Sequence, residues 1–158
     1  MKTYRWATLG CGVIANELAQ AMQKDGRTLY GVANRTYENA VAFAKKYEVE
    51  KVYKNIQDLF EDDDVDIVYI STPHNTHIQY LREALKHGKH VLCEKSITLN
   101  AKELEEAKQL AEENGVVLAE AMTIYHMPLY KKLMKLVADG EIGDVSMIPV
   151  SYTHLRAH

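Results

Sequence analysis

Short apolar runs alternate along this chain with segments in which apolar residues recur every three or four positions. Short apolar runs are typical of strands buried on both faces, and the second spacing is typical of helices with one buried face. The predicted strands are residues 3–9, 28–33, 52–53, 66–72, 90–93 and 116–119. The predicted helices carry the apolar sets Ile14/Leu18/Met22, Ala40/Phe43/Tyr47, Ile56/Leu59/Phe60, Ile78/Leu81/Leu85, Leu104/Ala107/Ala111 and Tyr130/Leu133/Val137.

Residues that favour helix ends flank several of these helices. Thr36 fits a helix N-terminus, and Asn100 with Glu103 resembles a capping box, because such side chains accept hydrogen bonds from free backbone N–H groups. Pro128 suits the first position of the last helix, and Gly140 suits its end.

Strands that alternate with amphipathic helices predict an α/β fold with a doubly wound parallel Rossmann sheet and helices on both faces. In such a sheet a ligand binds outside the carboxyl ends of the strands. The residues that follow each predicted strand are therefore the candidates for a functional site.

The segment Gly10–Ala15 (GCGVIA) follows the first strand and opens the first helix. Gly10 permits a sharp turn, Gly12 lets the backbone approach a pyrophosphate, and the small Ala15 lets the helix pack close to the strand. The pyrophosphate would lie against the helix N-terminus at Val13 and Ile14, where N–H groups are free. We therefore predict nucleotide binding here rather than a merely structural turn.

The second strand ends at Asn34 and Arg35, where an NAD-selective protein would place a carboxylate on the ribose. No carboxylate stands there. Arg35 is suited to a 2′-phosphate, so we predict NADP as the cofactor with NAD as the possible alternative. The other interpretation of Arg35 is a solvated loop residue.

The fourth strand ends in a polar segment whose small side chains and backbone amides would line the cofactor beyond its phosphates. The candidates are Ser71, Thr72, Pro73, His74, Asn75 and His77. Two histidines without a third ligand are weak evidence for a metal, and we predict none. Helix capping by Asn75 and ordinary hydrogen bonding by the histidines is the simpler interpretation.

The fifth strand ends at Glu94 and Lys95. A lysine held at a strand end is well placed to handle a proton, and nearby cations or burial would favour this role while Glu94 would oppose it. The alternative is a surface ion pair between the two side chains, which would contribute little.

The composition and net charge of the chain reduce the number of functional classes that fit it. The 158 residues are 47% hydrophobic and 26% charged with a formal net charge of -3, which is typical of a globular protein and gives no basic surface for nucleic acid. We expect no membrane segment, a cytoplasmic location and two reduced cysteines, Cys11 and Cys93. The acidic run Glu61–Asp64 is interpreted as a solvated connection rather than a metal site.

These motifs, in this order, resemble the N-terminal half of the glucose–fructose oxidoreductase / inositol dehydrogenase / MocA (Gfo/Idh/MocA) family of NAD(P)-dependent oxidoreductases. The matching segments are residues 10–15, 33–35, 71–77, 94–96, 120–128 and 140–143. The segments 93–100 and 120–122 are most similar to the dihydrodiol dehydrogenase-like branch.

The resemblance implies that Lys95 is the catalytic residue beside the nicotinamide and the substrate hydroxyl, and that Glu94 and Met122 lie at the cofactor. Two positions depart from the family pattern. Ser96 replaces the usual proline after the lysine, and Tyr125 stands where many relatives have arginine.

The resemblance also implies a domain organisation. We expect an NAD(P)-binding domain over residues 1–122 and the truncated start of a substrate domain over 123–150, with the first strand of its sheet near 145–150. Residues 151–158 resemble translated cloning sequence, so we expect a non-native tail.

The implied function is hydride transfer between a nicotinamide and a sugar, polyol or cyclic diol. The partners would be a small-molecule substrate and, at full length, further copies of the same chain, with no nucleic acid and no membrane. The fragment alone would be inactive. The alternative is a non-enzymatic NAD(P)-binding sensor or regulatory protein.

Overall fold

A computed structural model describes residues 3–148. The chain divides into two compact units, Met1–Ala121 and Met122–His158. The strands are β1 (Trp6–Leu9), β2 (Gly31–Ala33), β3 (Lys51–Tyr53), β4 (Ile67–Ile70), β5 (His90–Cys93) and β6 (Leu118–Glu120). The helices are α1 (Val13–Lys24), α2 (Tyr37–Tyr47), α3 (Ile56–Glu61), α4 (His77–Lys86), α5 (Ala101–Glu113) and α6 (Pro128–Ala138).

The first unit contains one parallel sheet with the strand order β3-β2-β1-β4-β5-β6. This order confirms the predicted doubly wound Rossmann sheet. Four strands are shorter than predicted, because an apolar residue can be buried in the connection that flanks a strand as well as in the strand itself. Leu29, for example, is 2% exposed but precedes β2.

Two hydrophobic clusters cover the two faces of the sheet. Alternate strand residues such as Leu9 and Ile70 pack with Leu81 of α4 and Ala107 of α5. On the opposite face Val32 packs with residues of α1 and α2. Helices therefore cover both faces, as a parallel sheet requires.

Some predicted helix caps form and others do not. Asn100 accepts a hydrogen bond from the Glu103 amide at 3.0 Å, and the Glu103 carboxylate accepts one from the Leu99 amide at 3.1 Å. Pro128 occupies the first turn of α6, as predicted. Thr36 stands at the N-cap of α2, but its side chain makes no capping bond.

The prediction that Asn75 caps α4 is wrong. Residues His74–Thr76 form a 3-10 turn, so α4 begins at His77 and its N-cap residue is Thr76 rather than Asn75. The Thr76 hydroxyl donates to the Pro73 carbonyl at 2.6 Å. Asn75 is exposed.

The acidic run is solvated only in part. Asp62 accepts hydrogen bonds from the Lys51 ammonium and the Tyr53 hydroxyl, both at 2.6 Å, and its side chain is 9% exposed. Burial alone would raise its pKa, but these hydrogen bonds outweigh burial and lower the pKa to about 2. Asp62 thus fastens β3 to the end of α3, while Asp63 and Asp64 are exposed.

The second unit contains a 3-10 turn, Thr123–His126, followed by α6. The expected strand near 145–150 is not formed over Val145–Ile148, which are irregular and exposed. The part of this unit that the structure describes has no other strand, so no pairing partner stabilises one. Residues 149–150 and the expected tail 151–158 lie outside the described residues.

No helix within residues 3–148 combines the length and apolar composition needed to cross a membrane. Within the same range, no three His, Cys, Asp or Glu side chains lie close enough to hold a metal ion together. Cys11 and Cys93 are free, and burial raises their thiol pKa values to about 11 and about 12.

Candidate functional site

The carboxyl ends of β1, β2, β4 and β5 are joined by backbone hydrogen bonds. The Gly10 amide donates to Ala33 at 2.9 Å, and the Ser71 amide donates to Leu9 at 3.0 Å. The Glu94 amide continues the pattern by donating to Ile70 at 2.9 Å. The structure therefore brings the predicted strand-end segments to one edge of the sheet.

Gly10 and Gly12 are required for different reasons. Gly10 has a φ of +109°, and a Cβ on it would lie 2.8 Å from the Ser71 hydroxyl oxygen. Protein packing alone therefore demands glycine at position 10. A Cβ on Gly12 would meet no protein atom within 4 Å, so nothing in the protein explains glycine at position 12.

A side chain that we did not select from the sequence braces this turn. The Asn16 amide group donates to the carbonyls of Cys11 and Gly12 at 3.2 and 2.8 Å. Its oxygen accepts from the Tyr47 hydroxyl at 2.7 Å and the Lys46 ammonium at 3.0 Å. The Gly-rich turn is thus held from α2 as well as from α1.

The first turn of α1 matches the prediction in geometry. The first intrahelical bond runs from the Asn16 amide to the Gly12 carbonyl, so the preceding amides have no helical acceptor. Val13 and Ile14 are 73% and 41% exposed, and Ala15 is fully buried against the sheet. Free amides at a helix N-terminus are the groups to which an anion can accept hydrogen bonds.

A cleft of about 520 Å³ opens along this edge. The predicted residues that line it are Gly10, Gly12, Asn34, Arg35, Ser71, Thr72 and Pro73. Further lining residues are Leu9, Cys11, Thr36, Asn39, Ile56, Thr76 and Tyr80. Those on α2, α3 and α4 were missed because sequence reasoning searched strand ends and not the helices that face them.

Arg35 is the positively charged residue among the described residues that line this cleft. Its side chain is exposed and makes no hydrogen bond or ion pair with any described residue. The Asn34 side chain donates to the Thr36 carbonyl at 2.9 Å, which shapes the loop around Arg35. No carboxylate stands among the lining residues.

The remaining residues of segment 71–77 lie elsewhere. His74 and Asn75 are exposed in the 3-10 turn beyond the cleft. His77 is fully buried, and its ring nitrogens contact the carbonyl oxygens of Thr72 and Ser96 at 2.8 and 2.9 Å. We predicted that the His77 side chain contacts the cofactor. In the structure both of its polar ring atoms instead contact backbone carbonyls of the protein.

Lys95 stands just beyond β5 with its side chain exposed. Its ammonium makes no hydrogen bond or ion pair within residues 3–148, so the alternative of an ion pair with Glu94 is not formed. Glu94 instead accepts a hydrogen bond from the Tyr69 hydroxyl at 2.5 Å. The peptide bond between Lys95 and Ser96 is cis.

Met122 is the first residue of the second unit, and its carbonyl accepts from the Tyr125 amide at 3.3 Å. Its contact with a cofactor stays a prediction. The Tyr125 ring packs edge-on against Tyr130 with centroids 5.7 Å apart.

Comparisons with known proteins agree with this geometry. Residues 4–122 match the family model of the GFO_IDH_MocA oxidoreductase family with an NAD-binding Rossmann fold. A scyllo-inositol 2-dehydrogenase (NADP(+)) of Bacillus subtilis is 36% identical over 94% of this chain and 45% of its own length. The trans-1,2-dihydrobenzene-1,2-diol dehydrogenase of Mus musculus is 33% identical over 98% of this chain and 47% of its own length.

Among solved structures, the 3-ketoreductase KijD10 of Actinomadura kijaniata in complex with NADP superposes with a TM-score of 0.83 at 30% identity. The match covers 90% of this chain and 46% of the reductase. The chain thus spans about half the length of the relatives that it matches.

Proposed function

The chain belongs to the Gfo/Idh/MocA family of oxidoreductases with an NAD-binding Rossmann fold, and from that premise we propose that it is the cofactor-binding part of an NADP-dependent dehydrogenase. The proposed substrates are secondary alcohols or ketones of a sugar, polyol or cyclic diol. The observation that carries the proposal is the cleft at the carboxyl ends of the strands, lined by Gly12 and by Arg35, which has no ionic partner among residues 3–148. The relatives named as inositol and diol dehydrogenases support this substrate class.

The turn around Gly12 fits a pyrophosphate. The space where a Cβ would stand is free of protein atoms, and the free amides of Val13 and Ile14 begin α1 beside it. A phosphate there would accept from these amides and lie at the positive end of the helix dipole. We infer that a ligand, and not the protein, is the reason for glycine at position 12.

The surroundings of Arg35 favour a 2′-phosphate over a free ribose hydroxyl. A guanidinium donates well to a phosphate, and the described residues that line the cleft include no carboxylate that would repel this phosphate. A B. subtilis relative whose name specifies NADP(+) supports the same preference.

Lys95 is the proposed catalytic residue. When bound, the nicotinamide supplies or takes the hydride. During reduction the Lys95 ammonium donates to the substrate oxygen, stabilises the negative charge that develops there and gives it a proton. During oxidation the neutral Lys95 amine accepts the proton of the substrate hydroxyl. Glu94 is hydrogen-bonded to Tyr69 and forms no ion pair with Lys95, so the ammonium is left free for the substrate.

Calorimetric titration of the chain with NADPH, NADP, NADH and NAD tests the proposal. We expect binding of all four, with the phosphorylated forms binding more tightly. A chain that is folded by circular dichroism and binds none of them would contradict the proposed function.

A further inference from the structure

His77 joins two segments that are far apart in the sequence. It is the first residue of α4 and is fully buried. Its Nε2 lies 2.8 Å from the carbonyl oxygen of Thr72, which lines the cleft. Its Nδ1 lies 2.9 Å from the carbonyl oxygen of Ser96, the residue after Lys95.

The chemistry of these two contacts determines which nitrogens of the imidazole ring carry a proton. A carbonyl oxygen only accepts hydrogen bonds, and a neutral imidazole carries a single N–H. Both contacts are hydrogen bonds only when both ring nitrogens carry a proton, and otherwise two lone pairs face each other in a buried site. We propose that His77 is a doubly protonated positioning residue, which ties the wall of the cleft at Thr72 to the turn that carries Lys95.

The turn is fixed on both sides of Lys95. Tyr69 holds Glu94, and the Ile97 amide donates to the Glu120 carboxylate at 2.9 Å. The bond from His77 to Ser96 adds an anchor between them. The backbone around Lys95 is thereby fixed while its ammonium stays free, which is the arrangement that a proton-handling group needs.

The His74 ring lies edge-on to the His77 ring, with the two centroids 6.5 Å apart. The peptide group between Ser96 and Ile97 is held from both ends, because its carbonyl contacts His77 and its N–H donates to the Glu120 carboxylate. The inferred role of His77 in catalysis depends on the proposed function of Lys95, but the protonation of the His77 ring and its two hydrogen bonds do not.

Nitrogen-15 spectroscopy of the wild-type chain at pH 7, uniformly labelled with carbon-13 and nitrogen-15, tests the ring directly, with the His77 ring signals assigned by through-bond correlation from its own backbone. We expect both ring nitrogens to show the chemical shifts of protonated nitrogens. One protonated and one unprotonated nitrogen would overturn the proposal. This measurement uses the wild-type ring, so it decides even if a variant fails to fold.

Two substitutions separate the two bonds. The amide nitrogen of glutamine reaches the position of histidine Nε2, and that of asparagine reaches the position of Nδ1. His77→Gln therefore keeps the bond to Thr72 and loses the bond to Ser96, and His77→Asn does the reverse. The amides of Thr76 and Ile97 report on the two sides, since both are hydrogen-bonded, to Pro73 and to Glu120.

Loss of one hydrogen bond typically corresponds to about tenfold in local opening. We expect His77→Gln to speed hydrogen exchange at Ile97 about tenfold and to leave Thr76 within about twofold, and His77→Asn to give the opposite pattern. His87→Gln, at the exposed far end of α4, is the matched control and should change neither amide. Equal acceleration at both amides in both variants would show that His77 only fills space, and would overturn the proposal.

A parallel titration of the wild-type chain with NADPH distinguishes a failure of the proposed function from a failure of the inference about His77. Failure to bind NADPH contradicts the proposed function. The chemical shifts of the ring nitrogens and the exchange pattern still decide whether His77 is doubly protonated and hydrogen-bonded to both segments.

Discussion

The Tyr69 hydroxyl donates a 2.5 Å hydrogen bond to the carboxylate of Glu94, the residue that precedes Lys95. Tyr69 lies on β4 and is 3% exposed. Burial, and then this bond, raise the pKa of its hydroxyl, so it remains a donor throughout the physiological range. The pair therefore places a fixed carboxylate beside a lysine with which it does not form an ion pair.

Removing this donor should free Glu94 to approach Lys95. Tyr69→Phe keeps the ring and should lower the free energy of unfolding by about 1 kcal/mol, as measured in urea. We also expect slower modification of the Lys95 amine by acetic anhydride, since a neighbouring carboxylate stabilises the ammonium. The exposed Tyr37→Phe is the control, and unchanged reactivity in Tyr69→Phe would show that Glu94 has another anchor.

Substituting the two glycines of the turn should have different effects, one on the stability of the fold and the other on NADPH binding. Gly10→Ala should lower the free energy of unfolding by about 1–3 kcal/mol, because the backbone is left-handed and the new Cβ meets Ser71. Gly12→Ala should leave stability within about 0.5 kcal/mol and weaken NADPH binding at least about tenfold. Full NADPH affinity in Gly12→Ala would contradict the proposed pyrophosphate position.

The sheet and the meeting of its strand ends at one edge could be predicted because the evidence for them is local in sequence. Apolar runs and Gly10–Ala15 are contiguous, and parallel topology then places the strand ends together. The roles of Asn16, Asp62 and His77 could not be predicted this way. Each depends on partners that only the folded chain brings near, such as Tyr47 for Asn16 and Ser96 for His77.

Arg35 should determine the choice between the two cofactors. Arg35→Ala removes charge-assisted hydrogen bonds to the 2′-phosphate, so calorimetry should show NADPH affinity lower by about 10–100-fold and NADH affinity unchanged within about threefold. Lys45→Ala on α2 is the control for general loss of positive charge. A preference for NADH that persists without Arg35 would refute the assignment.

Asp62 should make the free energy of unfolding depend on pH in the acidic range. Its pKa is about 2 in the folded chain against an ordinary 3.8, so as the pH falls the unfolded chain binds the proton first. Its contribution is complete above about pH 4 and declines as the pH falls towards 2. Urea titrations across this window should show a smaller decline for Asp62→Asn than for the wild type, and the exposed Asp63→Asn should follow the wild type.

The catalytic role of Lys95 can be measured once a substrate domain is present. We suggest joining this chain to the C-terminal part of the B. subtilis scyllo-inositol dehydrogenase, of which the matched part makes up 45%. In a chimera that turns over, Lys95→Met keeps most of the side-chain volume and removes the ammonium that we propose stabilises charge on the substrate oxygen. Turnover should fall by about 10²–10⁴-fold while NADPH affinity stays within about threefold.

Two further variants of the chimera complete this test. Glu94→Gln should reduce turnover less than Lys95→Met, because Glu94 acts only through the position and charge state of Lys95. Lys102→Met, an exposed lysine on α5, should leave turnover unchanged. If Lys95→Met kept turnover within a few fold of the parent, the lysine would have a structural role, and the proton would have to be handled by a group supplied by the substrate domain.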